Sequence, residues 1–183
     1  MSNSLDDAEI HRIVQNVVQD VMRPAHATVQ PSGKKVVAIG ADHGGFELKE
    51  ALKSDITALG FEVSDMGTNS KDAVDYPDFA HAVAQSVGAG KAWRGIVIDG
   101  AGIGSCIVAN KIPGVRAGMA YDISSANNSR EHNDTNVLTL GAGLIGVALA
   151  KQIVKVWLAT DFAGGRHTPR VDKIMAVEKK YLK

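Results

Sequence analysis

From Lys35 onward the chain alternates short apolar runs with longer helical patterns, and this rhythm restricts it to a small set of folds. The runs are Val36 to Ile39, Phe61 to Val63, Gly95 to Ile98, Val115 to Met119 and Asn136 to Leu140. Glu47 to Leu59, Tyr76 to Val87, Ser105 to Lys111, Ser124 to Glu131 and Gly143 to Leu158 read as helices, and a last helix follows Pro169. Gly60 and Gly90 stand where glycines commonly end helices. Strands joined through helices pair in parallel, so the alternation predicts a parallel sheet covered by helices. Ligands of such sheets lie at the carboxyl ends of the strands. Asp42, Asp99 and the His132 region each follow a predicted strand, so the candidate chemistry is expected to share one edge.

The first 34 residues follow a different pattern. Ile10, Ile13, Val14, Val17, Val18 and Val21 recur at helical spacing and form one apolar stripe. Ser4 with Asp7 resembles a capping box, and Arg23-Pro24 supplies a basic last turn and a stop. The expected plan is an amphipathic helical extension over 1–23, a linker over 24–34, and an α/β domain over 35–183. A short helix is marginal in water unless its stripe is covered, by its own domain, a dimer mate or another protein. Its polar face is mixed and acidic, which argues against membrane binding.

Composition narrows the ligand. The formal net charge is +0, and no basic block or interleaved aromatics suggest nucleic acid. The single cysteine, Cys106, excludes an intramolecular disulfide framework. With no long apolar stretch or secretory segment, a soluble cytoplasmic protein is expected.

Three segments carry candidate chemistry. In Asp99-Gly100-Ala101-Gly102-Ile103-Gly104-Ser105 a carboxylate precedes a glycine-rich turn into a helix, where inward N–H groups stabilise an anion or a developing oxyanion. Such a turn also serves merely to redirect the chain. Gly40 to Gly45 sets Asp42 and His43 in a glycine-flanked turn, where His43 can donate to phosphate and Asp42 can hold a sugar hydroxyl or cap a helix. Arg130 to Asn136 puts His132 beside Asn133, a proton-transfer group next to an amide, although the same residue types build ordinary polar turns. Beyond these, Arg166 and Arg170 stand one helical turn apart beside Gly164 and Gly165, a spacing at which two guanidinium groups converge on one anion.

Taken in order, Gly40-Ala41-Asp42-His43-Gly44-Gly45-Phe46, Asp75-Tyr76-Pro77, Gly102-Ile103-Gly104, Ala109-Asn110-Lys111, His132 to Val137 and Gly164-Gly165-Arg166-His167 resemble the ribose-5-phosphate isomerase B and galactose-6-phosphate isomerase family. The resemblance runs from Lys35 to the C-terminal helix. It implies a three-layer α/β/α sandwich around a Rossmann-like five-stranded parallel sheet, and a homodimer or homotetramer with active sites shared between subunits. It also implies isomerisation of a sugar phosphate without metal or cofactor, most simply ribose 5-phosphate to ribulose 5-phosphate through a cis-enediolate. Carried onto this chain, His132 opens the ring, Asn133 holds a substrate oxygen, and His43, Arg166 and Arg170 bind phosphate. Asp42 and His167 become substrate-binding candidates, and N–H groups of Gly100, Ala101, Gly102, Ile103 and Gly104 hold the enediolate oxygen. The N-terminal extension resembles the encapsulation peptides that direct cargo into bacterial microcompartments, which implies a shell or cargo partner and a place in the microcompartment lumen.

Two positions depart from the family pattern. Many members carry a catalytic cysteine where Asp99 stands, and others a glutamate at the place of Ser105. Asp99 is then the natural base, its ordinary pKa of about 3.9 expected to rise on desolvation. Ala101 replaces a threonine thought to assist ring opening, which shifts that task to His132 or Ser105. Cys106 lies on the helix and is expected to pack as a small hydrophobe, with Trp93 and Trp157 filling core or interface. The departures motivate a second reading, a noncatalytic sugar-phosphate-binding subunit that needs a cysteine-bearing partner. A six-carbon sugar phosphate is a third. A nucleotide-dependent dehydrogenase fits poorly, because the first turn lacks a full G-x-G-x-x-G.

Overall fold

The computed structural model describes residues 33–182. The expected extension, most of its linker and the microcompartment partner they imply lie outside the described residues. Element order is β1 (Val36–Ala41), α1 (Phe46–Ala58), β2 (Glu62–Asp65), α2 (Tyr76–Gly88), β3 (Arg94–Asp99), α3 (Ile103–Ala109), β4 (Ala117–Met119), α4 (Ile123–Asn133), β5 (Val137–Gly141), α5 (Val147–Ala159), a 3₁₀ turn (Gly165–His167) and α6 (Thr168–Tyr181). All neighbouring strands pair in parallel, in the order β2-β1-β3-β5-β4. This is the expected α/β/α sandwich. Among the described residues no helix is long and apolar enough to cross a membrane.

Strand alternation sorts the core into two layers. Val37, Ile39, Ile96, Ile98, Leu138 and Leu140 point to one face, where Leu52 and Ile56 of α1 and Ile153 and Trp157 of α5 cover them. Ala38, Val97 and Val137 point to the other, under Ala80, Val83 and Ala84 of α2 and Ala109 of α3. Trp157 is fully buried and donates from Nε1 to Thr135 Oγ1 at 3.1 Å. Trp93 stacks on Phe61, with ring centroids 5.4 Å apart. Both tryptophans therefore serve packing.

Two local departures from expectation bear on the site. Helix α5 begins at Val147 rather than Gly143. More consequentially, α4 continues through His132 to Asn133, so His132 sits on a helix and not in a turn. A capping box fixes its start: Ser125 N–H donates to Asp122 Oδ1 at 2.7 Å. Asp134 ends it in the left-handed region, at φ 47°. Its carboxylate binds Arg116 and Arg130, each at 2.8 Å. Asn136 accepts from Arg116 N–H at 2.8 Å and donates to the Gly114 carbonyl at 2.8 Å. Asp134, Thr135 and Asn136 are thus committed to holding the chain together.

Candidate active site

Strand β1 is followed by β2 on one side and lies against β3 on the other, and a crevice opens where connections diverge in this way. Ala41 pairs with Ile98, so the residues just beyond them, Asp42 and Asp99, end neighbouring strands. Asp42 N–H donates to the Ile98 carbonyl at 3.2 Å, and Asp42 Oδ1 accepts from Gly45 N–H at 2.9 Å. Asp42 is buried and caps its own turn, while His43 is exposed with Nδ1 against the Val74 backbone.

The glycine-rich turn after β3 closes around its own carboxylate. Asp99 Oδ1 accepts from Ala101 N–H at 2.8 Å and from Gly102 N–H, and Oδ2 accepts from Ser105 N–H at 3.0 Å. Gly102 has φ 78°, and a Cβ there would stand 2.9 Å from the Leu140 carbonyl carbon. Tyr76, at the start of α2, packs on Gly104 so closely that a Cβ at Gly104 would meet its ring at 2.5 Å. Tyr76 therefore roofs the turn, a placement the Asp75-Tyr76-Pro77 motif did not disclose.

This geometry corrects three expectations. Burial does push the Asp99 carboxyl up, but the adjoining Ser105 hydroxyl and the N–H groups of Gly102, Ser105 and Ala101 outweigh it, so the group sits below the ordinary carboxylate range. Three of the turn's N–H groups, those of Ala101, Gly102 and Ser105, face the Asp99 carboxylate rather than open space. Ser105 is fully buried, with its hydroxyl beside Asp99. It lines no open surface of the chain, which makes His132 the better placed candidate for ring opening. Burial also pushes the half-buried Cys106 thiol up, and the nearby Asp99 charge adds to this, as suits a packing residue.

The basic candidates assemble elsewhere. His132 and His167 stack face to face, with ring centroids 4.1 Å apart and planes within 9°. A cavity of about 220 Å³ is lined by these two rings with Asn128, Asn133, Arg170 and Ile174. Arg166 Nε donates to His167 Nε2 at 3.4 Å. Burial first, then His132, Arg166 and Arg170, push His167 below the ordinary imidazole range. His132 Nδ1 lies 2.8 Å from Asn128 Nδ2, a neighbour the sequence reading passed over although the two are four apart on one helix.

The two groups do not share an edge. Helix α4 runs back from the carboxyl end of β4, so His132 lies just before the amino end of β5 at Val137. Asp99, paired with Gly141, lies at the carboxyl end. Five strand residues separate those edges by about 16 Å. Within one chain, then, the carboxylate and turn lie apart from the imidazoles and guanidinium groups. Exposed apolar side chains flank both: Ile103 and Ile107 beside the turn, Ile174 and Val177 beside the basic cluster.

Residues 37–174 match the family model described as Ribose/Galactose Isomerase. The chain is 45% identical over 146 residues to the ribose-5-phosphate isomerase B of Escherichia coli (strain K12), a match covering 80% of this chain and 98% of that protein. It is 41% identical over 139 residues to the D-erythrulose-4-phosphate isomerase of Pectobacterium atrosepticum, covering 75% and 91%. The solved ribose-5-phosphate isomerase B of Clostridium thermocellum aligns with a TM-score of 0.79 at 48% identity, covering 80% of this chain and 99% of that one.

Proposed function

The chain belongs to the ribose/galactose isomerase family, and from that premise we propose that it interconverts ribose 5-phosphate and ribulose 5-phosphate through a cis-enediolate. The coarser activity, aldose–ketose isomerisation of a phosphorylated sugar, follows from the family itself. The observation that carries the finer reading is the division of chemistry between two edges of one sheet: a carboxylate in a nest of N–H donors on one, imidazoles and guanidinium groups on the other. A sugar phosphate needs both, one end for proton transfer and the other for phosphate. In a two-fold dimer the Asp99 edge of one copy faces the His132 edge of its partner, and the exposed isoleucines beside each group supply the apolar surround.

In that site Asp99 removes the proton from C2 of the open aldose and returns it to C1, while the hydroxyl proton passes from O2 to O1. Donors that lower the basicity of Asp99 do not prevent this, because they are not lost to the reaction. As the carboxylate takes up the proton, negative charge moves to the enediolate oxygen beside the same N–H groups. The nest then holds one negative charge throughout, first on Asp99 and afterwards on substrate. His132 serves ring opening, Asn133 holds a substrate oxygen, and Arg170 and Arg166 take the phosphate, joined by His43 from the Asp99 edge.

The low basicity of Asp99 also favours a second reading, a sugar-phosphate-binding subunit that turns over only beside a cysteine-bearing partner. One experiment separates them. The purified protein, incubated with ribose 5-phosphate in heavy water, is expected to form the ketose and to place deuterium at C2 of the recovered aldose. Binding without either signal would favour the second reading, and turnover only of erythrulose 4-phosphate or a six-carbon sugar phosphate would replace the substrate assignment.

A further inference from the structure

Asn128 and His132 stand one helical turn apart on α4, and the Asn128 amide nitrogen meets His132 Nδ1 at 2.8 Å. An amide NH₂ only donates, so Nδ1 must accept, and the neutral ring carries its proton on Nε2. A doubly protonated ring would set a second N–H against the amide, donor against donor. His167 is stacked on the ring, and Arg166 and Arg170 stand beside that stack, with Glu131 the one opposing charge in the group. Arg166 donates to His167 Nε2, which by the same logic leaves the His167 proton on Nδ1. The stack is therefore built from two neutral imidazoles of opposite tautomer.

We propose that Asn128 is a positioning residue that holds His132 as the neutral Nε2–H tautomer, so that His132 meets the sugar as a hydrogen-bond donor and not as a proton shuttle. The inference rests on the reading above, in which His132 meets substrate. A neutral imidazole has the chemistry for this: it polarises an oxygen without giving up its proton, and it needs no charge in a cluster already crowded with arginines. At ring opening the bond from C1 to the ring oxygen breaks and the C1 carbonyl forms. The proton lost from the anomeric hydroxyl passes to water, and the ring oxygen takes one from water. The Nε2–H of His132 stabilises the negative charge that builds on the ring oxygen meanwhile.

The test reads the tautomer directly. In protein labelled with ¹⁵N at histidine, two-bond proton–nitrogen correlations distinguish the Nε2–H, Nδ1–H and imidazolium forms without substrate. At pH 7.5 His132 is expected as the Nε2–H form in the wild type and in N128Q, which keeps the donor. N128D offers an acceptor in place of the donor and is expected to convert His132 to a form protonated at Nδ1. The Asn128 side chain is exposed, so these changes leave the fold intact. For turnover, N128D is expected to lower kcat by about tenfold with KM little changed, and N128Q to retain most activity. His132 already protonated at Nδ1 in the wild type, or a tautomer unmoved in N128D, would overturn the proposal, as would N128D with full kcat. The NMR readout needs no turnover, so it judges the tautomer even if the isomerase reading fails.

Discussion

Asp99 is where the account is most exposed at the scale of one residue. Its carboxylate has two tasks, organising the turn and moving a proton, and an amide performs neither well. In Asp99→Asn one oxygen is replaced by a donor, which faces an N–H group that the carboxylate satisfied. We expect isomerase activity to fall by about a thousandfold, and folding stability by about 1–3 kcal/mol because a buried donor is left unpaired. The stability loss depends on pH. The folded-state pKa of Asp99 is depressed, so its contribution is present above the unfolded value of about 3.9 and disappears as pH falls through the folded value. Urea midpoints of wild type and D99N should therefore converge as pH is lowered from about 6 to about 3. A gap that stays constant over that range would mean that the carboxylate's charge does not hold the turn.

At the scale of elements, the turn between β3 and α3 depends on Gly102. Its positive φ and the backbone of Leu140 beneath it exclude a side chain, so Gly102→Ala is expected to cost about 2 kcal/mol or more and to lower kcat by moving the donors around Asp99. Thermal melts and steady-state rates check this; an unchanged melt would show that the turn relaxes freely. Apolar runs and glycine or proline signals located the five strands and six α-helices of the described residues, though not the 3₁₀ turn at Gly165–His167, because runs such as Val36 to Ile39 and the helix-ending Gly60 are local signals. The end of α4 was not legible. Arg130 to Asn136 reads as a turn because Asn, Asp and Thr compete for backbone hydrogen bonds, whereas in the structure Asp134 closes the helix through ion pairs with Arg130 of α4 and with Arg116, just before β4. Misplacing that helix end put His132 on the wrong edge. Asp99, the glycines and Ser105 do fall in one turn, but the direction of its N–H groups was not legible: the sequence does not say that three of them turn inward onto the carboxylate and help outweigh its burial.

For the whole molecule, the sheet keeps the two chemistries apart, and on the proposed reading a second copy brings them together. The apolar surround should then be essential for activity without being essential for folding. Ile107 is 57% exposed on α3, so Ile107→Glu is expected to leave the fold intact, shift the protein to monomer by sedimentation, and abolish turnover. A folded monomer with full activity would contradict the shared site. The most direct measurement uses two inactive variants, one altered at Asp99 and one at His132, unfolded together and refolded as an equal mixture. A mixed dimer of these chains has one site with both defects and one with neither. With half of the dimers mixed, about one quarter of wild-type activity is expected to return. No recovery, from a mixture shown to contain mixed dimers, would mean that each chain completes its own site.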